Sequence, residues 1–362
     1  MKKTPLYAQH VALGGKLVPY AGYDLPVQFP AGILAEHAAV RNRVGLFDVS
    51  HMGEVLFTGE CALASLNRLL TNDFSDLPPG GVRYSPMCNH EGGVLDDVLV
   101  YCLGDERYMV VVNAANRMAD VAWMTDNALP DTLVQDVSCD YAQIALQGPA
   151  ALALMQEFIP QSLLPQKRFR FTNAKLEGCW VVVSRTGYTG EDGFELYCAP
   201  DNALTVWKAL LEAGETHDIA PCGLGSRDLL RLEAAMPLYG HELDAAHSPL
   251  QAGLGAFVKM NKPDFIGKKS LQENKFAPIT RVGLRLLERG IAREGCPVLH
   301  DGKPTGIVTS GTHSPSCNAA IAMAYVDAAC ATQPSLTVDV RGRMLPAAMV
   351  ALPFYTNKPR GE

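Results

Sequence analysis

The sequence has no C-x-x-C pair, no H-x-x-x-H or H-E-x-x-H pattern, no apolar run of membrane-spanning length and no surplus of cationic side chains. Each absence narrows what the chain can do. Its ten cysteines are scattered, Cys317 and Cys330 being the closest pair, so zinc-ribbon spacing is missing and reduced thiols in a cytoplasm are expected. The nine histidines likewise give no local metal-ligand spacing, and no metal is expected. Against 38 acidic side chains stand 31 basic ones, a formal charge of −7, which offers no broad cationic surface to nucleic acid or an anionic membrane. Apolar stretches such as Ala319 to Val326 end at a charge, far short of the roughly 18 to 20 residues a bilayer span needs. Lys2 and Lys3 are followed by Thr4, Pro5, Gln9 and His10, which interrupt any secretory apolar region, and no Arg-rich transit peptide is expected either.

What remains is a chain of 362 residues, 48% apolar and 19% charged, able to bury a large core. At roughly 150 residues per domain the length suggests two or three domains. Pro30 to Val44 has helical spacing, Leu46 to Leu56 strand character and Ala62 to Leu70 helical spacing again. Val94 to Leu103 and Arg107 to Val112 predict a hairpin around Gly104-Asp105-Glu106. Strands at Gln143 to Leu146, Trp180 to Ser184 and Phe194 to Cys198 and a helix at Asn202 to Ala213 follow in an irregular order that predicts α+β. From about Thr280 the texture changes to short strand-like runs: Val282 to Leu286, Pro297 to His300, Gly306 to Thr309, Ala319 to Val326, Leu336 to Val340 and Met344 to Leu352. These predict an all-β module, and the polar stretch Lys268 to Pro278 before it is a plausible boundary.

Three segments carry candidate chemistry. In Val94 to Tyr101, two carboxylates, Asp96 and Asp97, open a strand of bulky apolar residues, where Asp is disfavoured. Alternation puts Asp97 on one face with Leu99 and Tyr101. Either the acids solvate the strand's start after a Gly92-Gly93 turn, or one sits among apolar side chains where burial tunes it toward a ligand N–H. The second segment, Ser184 to Glu195, spaces glycines three apart at Gly187, Gly190 and Gly193. No Gly-Lys-Ser/Thr closes the loop and a strand follows, so phosphate-loop geometry is excluded and a hairpin connection with glycines at positive φ is expected. Tyr188 supplies a ring for stacking and Glu195 an acceptor for paired N–H donors. The third, Gly223 to Glu233, reads as a helix with Ser226 as a possible N-cap and with Arg227 and Arg231 on one face. An anionic ligand could compensate the like charges; an ordinary surface pair of Asp228 with Arg231 is the default.

Taken in order, Thr4-Pro5-Leu6-Tyr7, Leu46 to Glu54, Gly92 to Tyr101, Gly187 to Glu195, Gly223 to Glu233, Tyr239 to Asp244 and Thr309 to Pro315 resemble the aminomethyltransferase (T-protein) family of the glycine cleavage system, from about Thr4 to Tyr355. The resemblance implies an α+β fold: a two-part folate-binding core around a central channel, residues 1–270, and a C-terminal all-β barrel domain, residues 279–362. It also implies an enzyme that takes an aminomethyl group from the lipoyl arm of the H-protein. The one-carbon unit passes to tetrahydrofolate, giving methylene-tetrahydrofolate and ammonia. Residue by residue, it implies Asp97 as the catalytic aspartate, Glu195 as the pterin-binding glutamate and Arg227 as the substrate-binding arginine. Tyr84, Leu99, Tyr101, Met52, Asn113 and Tyr188 fall on or near the channel. Tetrahydrofolate would be a co-substrate, the lipoylated H-protein the partner.

Tyr23 stands where this family more commonly has Trp, and Ser316-Cys317-Asn318 where Thr-Leu-Gly is commoner; neither touches the residues carried over. Two other readings compete. A related tetrahydrofolate-dependent demethylase would take its carbon from a small methylated amine or sulfonium. A non-enzymatic folate-binding protein would resemble a Lys-Gly-Cys-Tyr string, whereas this chain has Met236-Pro237-Leu238-Tyr239, without the cysteine.

Overall fold

The computed structural model describes residues 1–273, 276–333 and 335–357; Asn274 and Lys275 of the polar stretch, and residues 358–362 of the expected barrel segment, lie outside them. The chain divides into two compact units. One comprises Met1–Leu69, Phe74–Tyr84 and Val98–Asp228; the other comprises Leu70–Asp73, Ser85–Asp97 and the chain from Leu229 onward.

The first unit carries a six-stranded sheet in the order Phe171–Leu176, Cys179–Ser184, Gly193–Cys198, Ala142–Gln147, Gly45–Asp48 and Ala220–Cys222. All its neighbours are antiparallel except the last pair. Helix Ala203–Ala213 buries Val206, Trp207 and Leu210 in the same cluster as Ile144, Leu146, Phe194 and Leu196 of the sheet. The apolar residues of that helix recur every three or four positions, so one stripe meets the sheet. Strands Arg107–Val112, Gly53–Thr58 and Leu133–Asp136 follow one another in a second, five-stranded sheet. The expected hairpin forms: Val94–Gly104 pairs antiparallel with Arg107–Val112, and the turn sets Gly104, Asp105 and Glu106 all at positive φ.

In the second unit six antiparallel strands close into a barrel in the order Ile279–Leu286, Ala319–Asp327, Lys303–Ser314, Pro297–His300, Ser335–Val340 and Arg343–Val350. Ala319–Asp327 reads as continuously apolar because both of its faces are covered. Ala320, Ala322, Ala324 and Val326 fill the barrel with Leu284, Val298, Val338 and Leu345, while Ile321 and Met323 pack with Leu232 and Ala235. The α+β class and the C-terminal barrel agree with the sequence. Lys303–Ser314 is longer than the run Gly306 to Thr309 that marks it, since an irregularity between Val308 and Ser310 lets the strand continue beyond the break in its apolar pattern. Asn318, in the departing tripeptide, takes φ 45°, a left-handed value that Asn tolerates better than most residues. Among the described residues no helix is long and apolar enough to cross a membrane.

Candidate active site

Glu195 is central in strand Gly193–Cys198, flanked by Ser184 on one neighbouring strand and Ala145 on the other, and is 5% exposed. Strand alternation puts Tyr197 on the same face, opposite Gln143. These residues form one network. Thr186 Oγ1 donates to Glu195 Oε2 at 2.5 Å, and Gln143 Nε2 lies 3.1 Å from both Glu195 Oε1 and the Tyr197 hydroxyl. Tyr197 and Tyr101 share a hydrogen bond of 2.9 Å between their hydroxyls. Burial raises the Glu195 carboxyl above its ordinary range, with Thr186, the positive charge of Arg227 and Gln143 partly opposing it. Gln143 Oε1 is buried without a hydrogen-bond partner. An acceptor-rich carboxyl beside a buried amide oxygen suits a heterocycle that presents paired N–H groups.

The loop before this strand is fastened at its base by Arg185, whose Nε and Nη2 reach the two carboxylate oxygens of Asp192 at 2.9 and 2.5 Å. Only one of its three spaced glycines has positive φ, namely Gly190 at 81°. Gly187 is needed for another reason: a Cβ there would meet Gln147 Oε1 at 2.0 Å, because the Gln147 amide fills the loop, donating to Thr186 O and accepting from Thr189 Oγ1. The hairpin connection is as expected, with Cys179–Ser184 antiparallel to Gly193–Cys198, but positive φ is confined to Gly190 among the three glycines and the loop is built around a glutamine.

Tyr188, in this loop, lies under the Arg227 guanidinium, 4.7 Å from ring centroid to Cζ. Arg227 comes from helix Leu224–Glu233 and is half-buried, its guanidinium with no hydrogen-bond acceptor among the described residues. A guanidinium stacked on a ring and holding its N–H fork open is suited to a carboxylate or another planar acceptor. Ser226 does not cap this helix: it lies within it, its hydroxyl 2.9 Å from both Gly223 O and Glu36 Oε2. Glu36, fully buried, also accepts the Phe29 and Gly223 backbone N–H groups and takes over the role assigned to a cap. Arg231, expected in an ordinary surface pair with Asp228, is buried and pairs with Glu242.

Sequence reasoning passed over His51, although it stands in the string Leu46 to Glu54. It is 4% exposed, with Tyr20 edge-on at 5.6 Å between ring centroids and Nδ1 without a partner. Burial, then the positive charge of Arg227, holds the imidazole down at about 4 against the pull of Asp48, so it is neutral at physiological pH.

Of the other expected residues, Met52, Leu99 and Tyr101 come together in one apolar cluster with Met109, Val111 and Tyr197. Tyr84, on strand Val82–Cys88, and Asn113, just past strand Arg107–Val112, are half-buried and outside that cluster. Asp97 is half-buried on strand Val94–Gly104, as are Leu95 and Leu99 two positions either side, whereas Val94, Asp96, Val98 and Val100 are fully buried. Gln143, Thr186 and Tyr197, which the sequence did not single out, complete the surroundings of Glu195; Tyr197, two residues after Glu195 on the same strand face, was the available signal.

Residues 6–262 match the family model of the GCVT N-terminal domain, and residues 280–356 match that of the glycine cleavage T-protein C-terminal barrel domain. The chain is 47% identical over 357 residues to an aminomethyltransferase of Halothermothrix orenii, covering 98% of this chain and all of that protein. It is 46% identical to one of Halalkalibacterium halodurans, over 98% of both. The solved structure of glycine cleavage system aminomethyltransferase T from Bartonella henselae superposes with a TM-score of 0.90 at 33% identity, covering 98% of each chain.

Proposed function

The chain belongs to the glycine cleavage T-protein family, a family of folate-dependent aminomethyltransferases, and on that premise we propose that its donor is the aminomethyl group on the lipoyl arm of the H-protein and its acceptor tetrahydrofolate. The observation that supports this most is the buried Glu195 carboxyl beside the unpartnered Gln143 amide oxygen, an acceptor pair for the N–H groups of a pterin. Arg227, stacked on Tyr188, would take a carboxylate or a polarised oxygen of the substrate. Met52, Leu99, Tyr101, Tyr84, Asn113 and Tyr188 would provide surfaces against the ligand.

In the reaction the methylene carbon loses its bonds to the amine nitrogen and the lipoyl sulfur and gains bonds to two folate nitrogens. Of the two folate N–H protons released, one goes to the amine, which leaves as ammonia, and the other replaces the carbon on sulfur. Positive charge develops on the carbon as the amine departs. A carboxylate at Asp97 would stabilise that charge and orient the attacking nitrogen, the kind of fixed electrostatic aid that dominates many rate enhancements. None of the ten cysteines is needed, since the transferring sulfur belongs to the partner. The chain would act in the cytoplasm with the lipoylated H-protein.

Mixing the protein with tetrahydrofolate and aminomethylated H-protein tests this reading. Ammonia and methylene-tetrahydrofolate should form in equal amounts, and each should require both substrates. Turnover of a methylated amine or sulfonium in place of the H-protein would instead identify a demethylase.

A further inference from the structure

Glu54 is the most isolated buried acid of the first unit. It lies on strand Gly53–Thr58, is 2% exposed, and its carboxyl makes no hydrogen bond among the described residues; Oε2 is sealed from solvent. Its backbone is fully used, the N–H donating to Ser138 Oγ at 2.9 Å and the carbonyl accepting from the Val137 N–H at 3.0 Å. Arg117, the nearby cation, is engaged elsewhere, 2.7 Å from Asp136. A carboxyl buried without partners costs about 1 to 3 kcal/mol, so its presence in a core asks for a reason.

Its position suggests one. Glu54 is directly opposite Val111 in the sheet, and Val111 is directly opposite Leu99 on the next strand. Opposed residues share a face, so Glu54 looks out on the same side as Leu99 and Tyr101. It also lies near enough to Tyr197 and Tyr141 for its negative charge to push both phenols up. Tyr197 is the residue that joins Tyr101 to Gln143 and hence to Glu195.

We propose that Glu54 is a further ligand-contacting residue of the folate site, its carboxyl group forming a hydrogen bond with bound tetrahydrofolate. This rests on the folate reading above. Burial holds the carboxyl well above its usual range, opposed by Arg117 and reinforced by Asp136 and Cys139. The other titratable groups around it are Tyr23, Tyr141 and Tyr197. A neutral carboxyl offers one donor and one acceptor, which an ionised one does not. Its site complements Glu195 in that way: Glu195 already receives Thr186 and Gln143, whereas the Glu54 carboxyl receives no hydrogen bond among the described residues.

The test is tetrahydrofolate binding, followed by titration, with thermal unfolding measured on the same samples. Leucine is close in size and removes the unsatisfied group, so Glu54→Leu should unfold at the same or a higher temperature yet bind tetrahydrofolate about tenfold more weakly. A purely structural role predicts no such opposition of stability and affinity. Glu54→Gln keeps one donor and one acceptor and should bind within about threefold of wild type. Wild type should lose affinity relative to this variant as pH rises far enough to ionise Glu54, because ionisation removes the donor. A folded Glu54→Leu that binds like wild type, or wild-type and Glu54→Gln affinities that run parallel with pH, would overturn the inference. Wild type that fails to bind tetrahydrofolate would overturn the folate reading itself, so the two failures are distinct.

Discussion

Arg231 and Glu242 meet at 2.8 Å with their side chains only 2% and 0% exposed. Arg231 also donates to Ser310 Oγ at 2.9 Å, and Glu242 accepts from Thr309 and Ser310 at 2.6 Å each and from the Leu238 N–H. Breaking a buried pair leaves an uncompensated charge, so Glu242→Gln should destabilise the protein by about 3 kcal/mol or more. Burial alone would raise the Glu242 carboxyl; Arg231 and the hydroxyl donors overcome it and the net shift is downward. A carboxyl depressed on folding contributes its stability above its unfolded value, about 4.3, and loses it as pH falls through the lower folded value. Urea unfolding at neutral and acidic pH should therefore show wild type approaching Glu242→Gln only on the acid side. A difference between them that is unchanged down to the lowest pH would contradict this account.

The same pair marks where the sequence stopped being legible. Spacing within one helix offered Asp228 as a surface partner of Arg231 and gave no sign of Glu242, eleven residues away and beyond the helix, which pairs with it in the interior. Ser226 likewise looked like a cap because nothing local announces Glu36, which reaches it across |i−j| of 190. Local patterns served well where local physics decides. The hairpin from Val94 to Val112 and the strands of the barrel follow from alternation and turn residues, and the two faces of Val94–Gly104 were readable from period two alone. Glu195 and Arg227 were singled out through motif resemblance. His51 and Glu54 stand within Leu46 to Glu54, yet their burial is a tertiary property: a polar residue in a turn or strand carries no mark of what will cover it.

Glu195→Gln should weaken tetrahydrofolate binding by about tenfold or more, since charge-assisted hydrogen bonds are worth about 1.5 to 3 kcal/mol. The structure adds a reason. Both carboxylate oxygens already face donors, Thr186 Oγ1 and Gln143 Nε2, so a new NH2 group must turn toward one of them. Binding titrations, with circular dichroism to establish folding, check this; an unchanged dissociation constant would remove Glu195 from the pterin site.

We propose that a single carboxylate of the adjacent acids, that of Asp97, serves the chemistry. Asp97 is half-buried, in line with Leu95 and Leu99, and Asp96 is fully buried on the other face. The most direct measurement is steady-state methylene-tetrahydrofolate formation from aminomethylated H-protein by Asp97→Asn and Asp96→Asn, each confirmed folded by circular dichroism. Asp97→Asn should lower kcat about 10²-fold or more, roughly 3 kcal/mol of barrier, while folate binding changes less. Asp96→Asn should affect stability more than kcat. A crippled Asp96→Asn beside a nearly normal Asp97→Asn would contradict the assignment, and normal turnover by both would rule out the carboxylate mechanism.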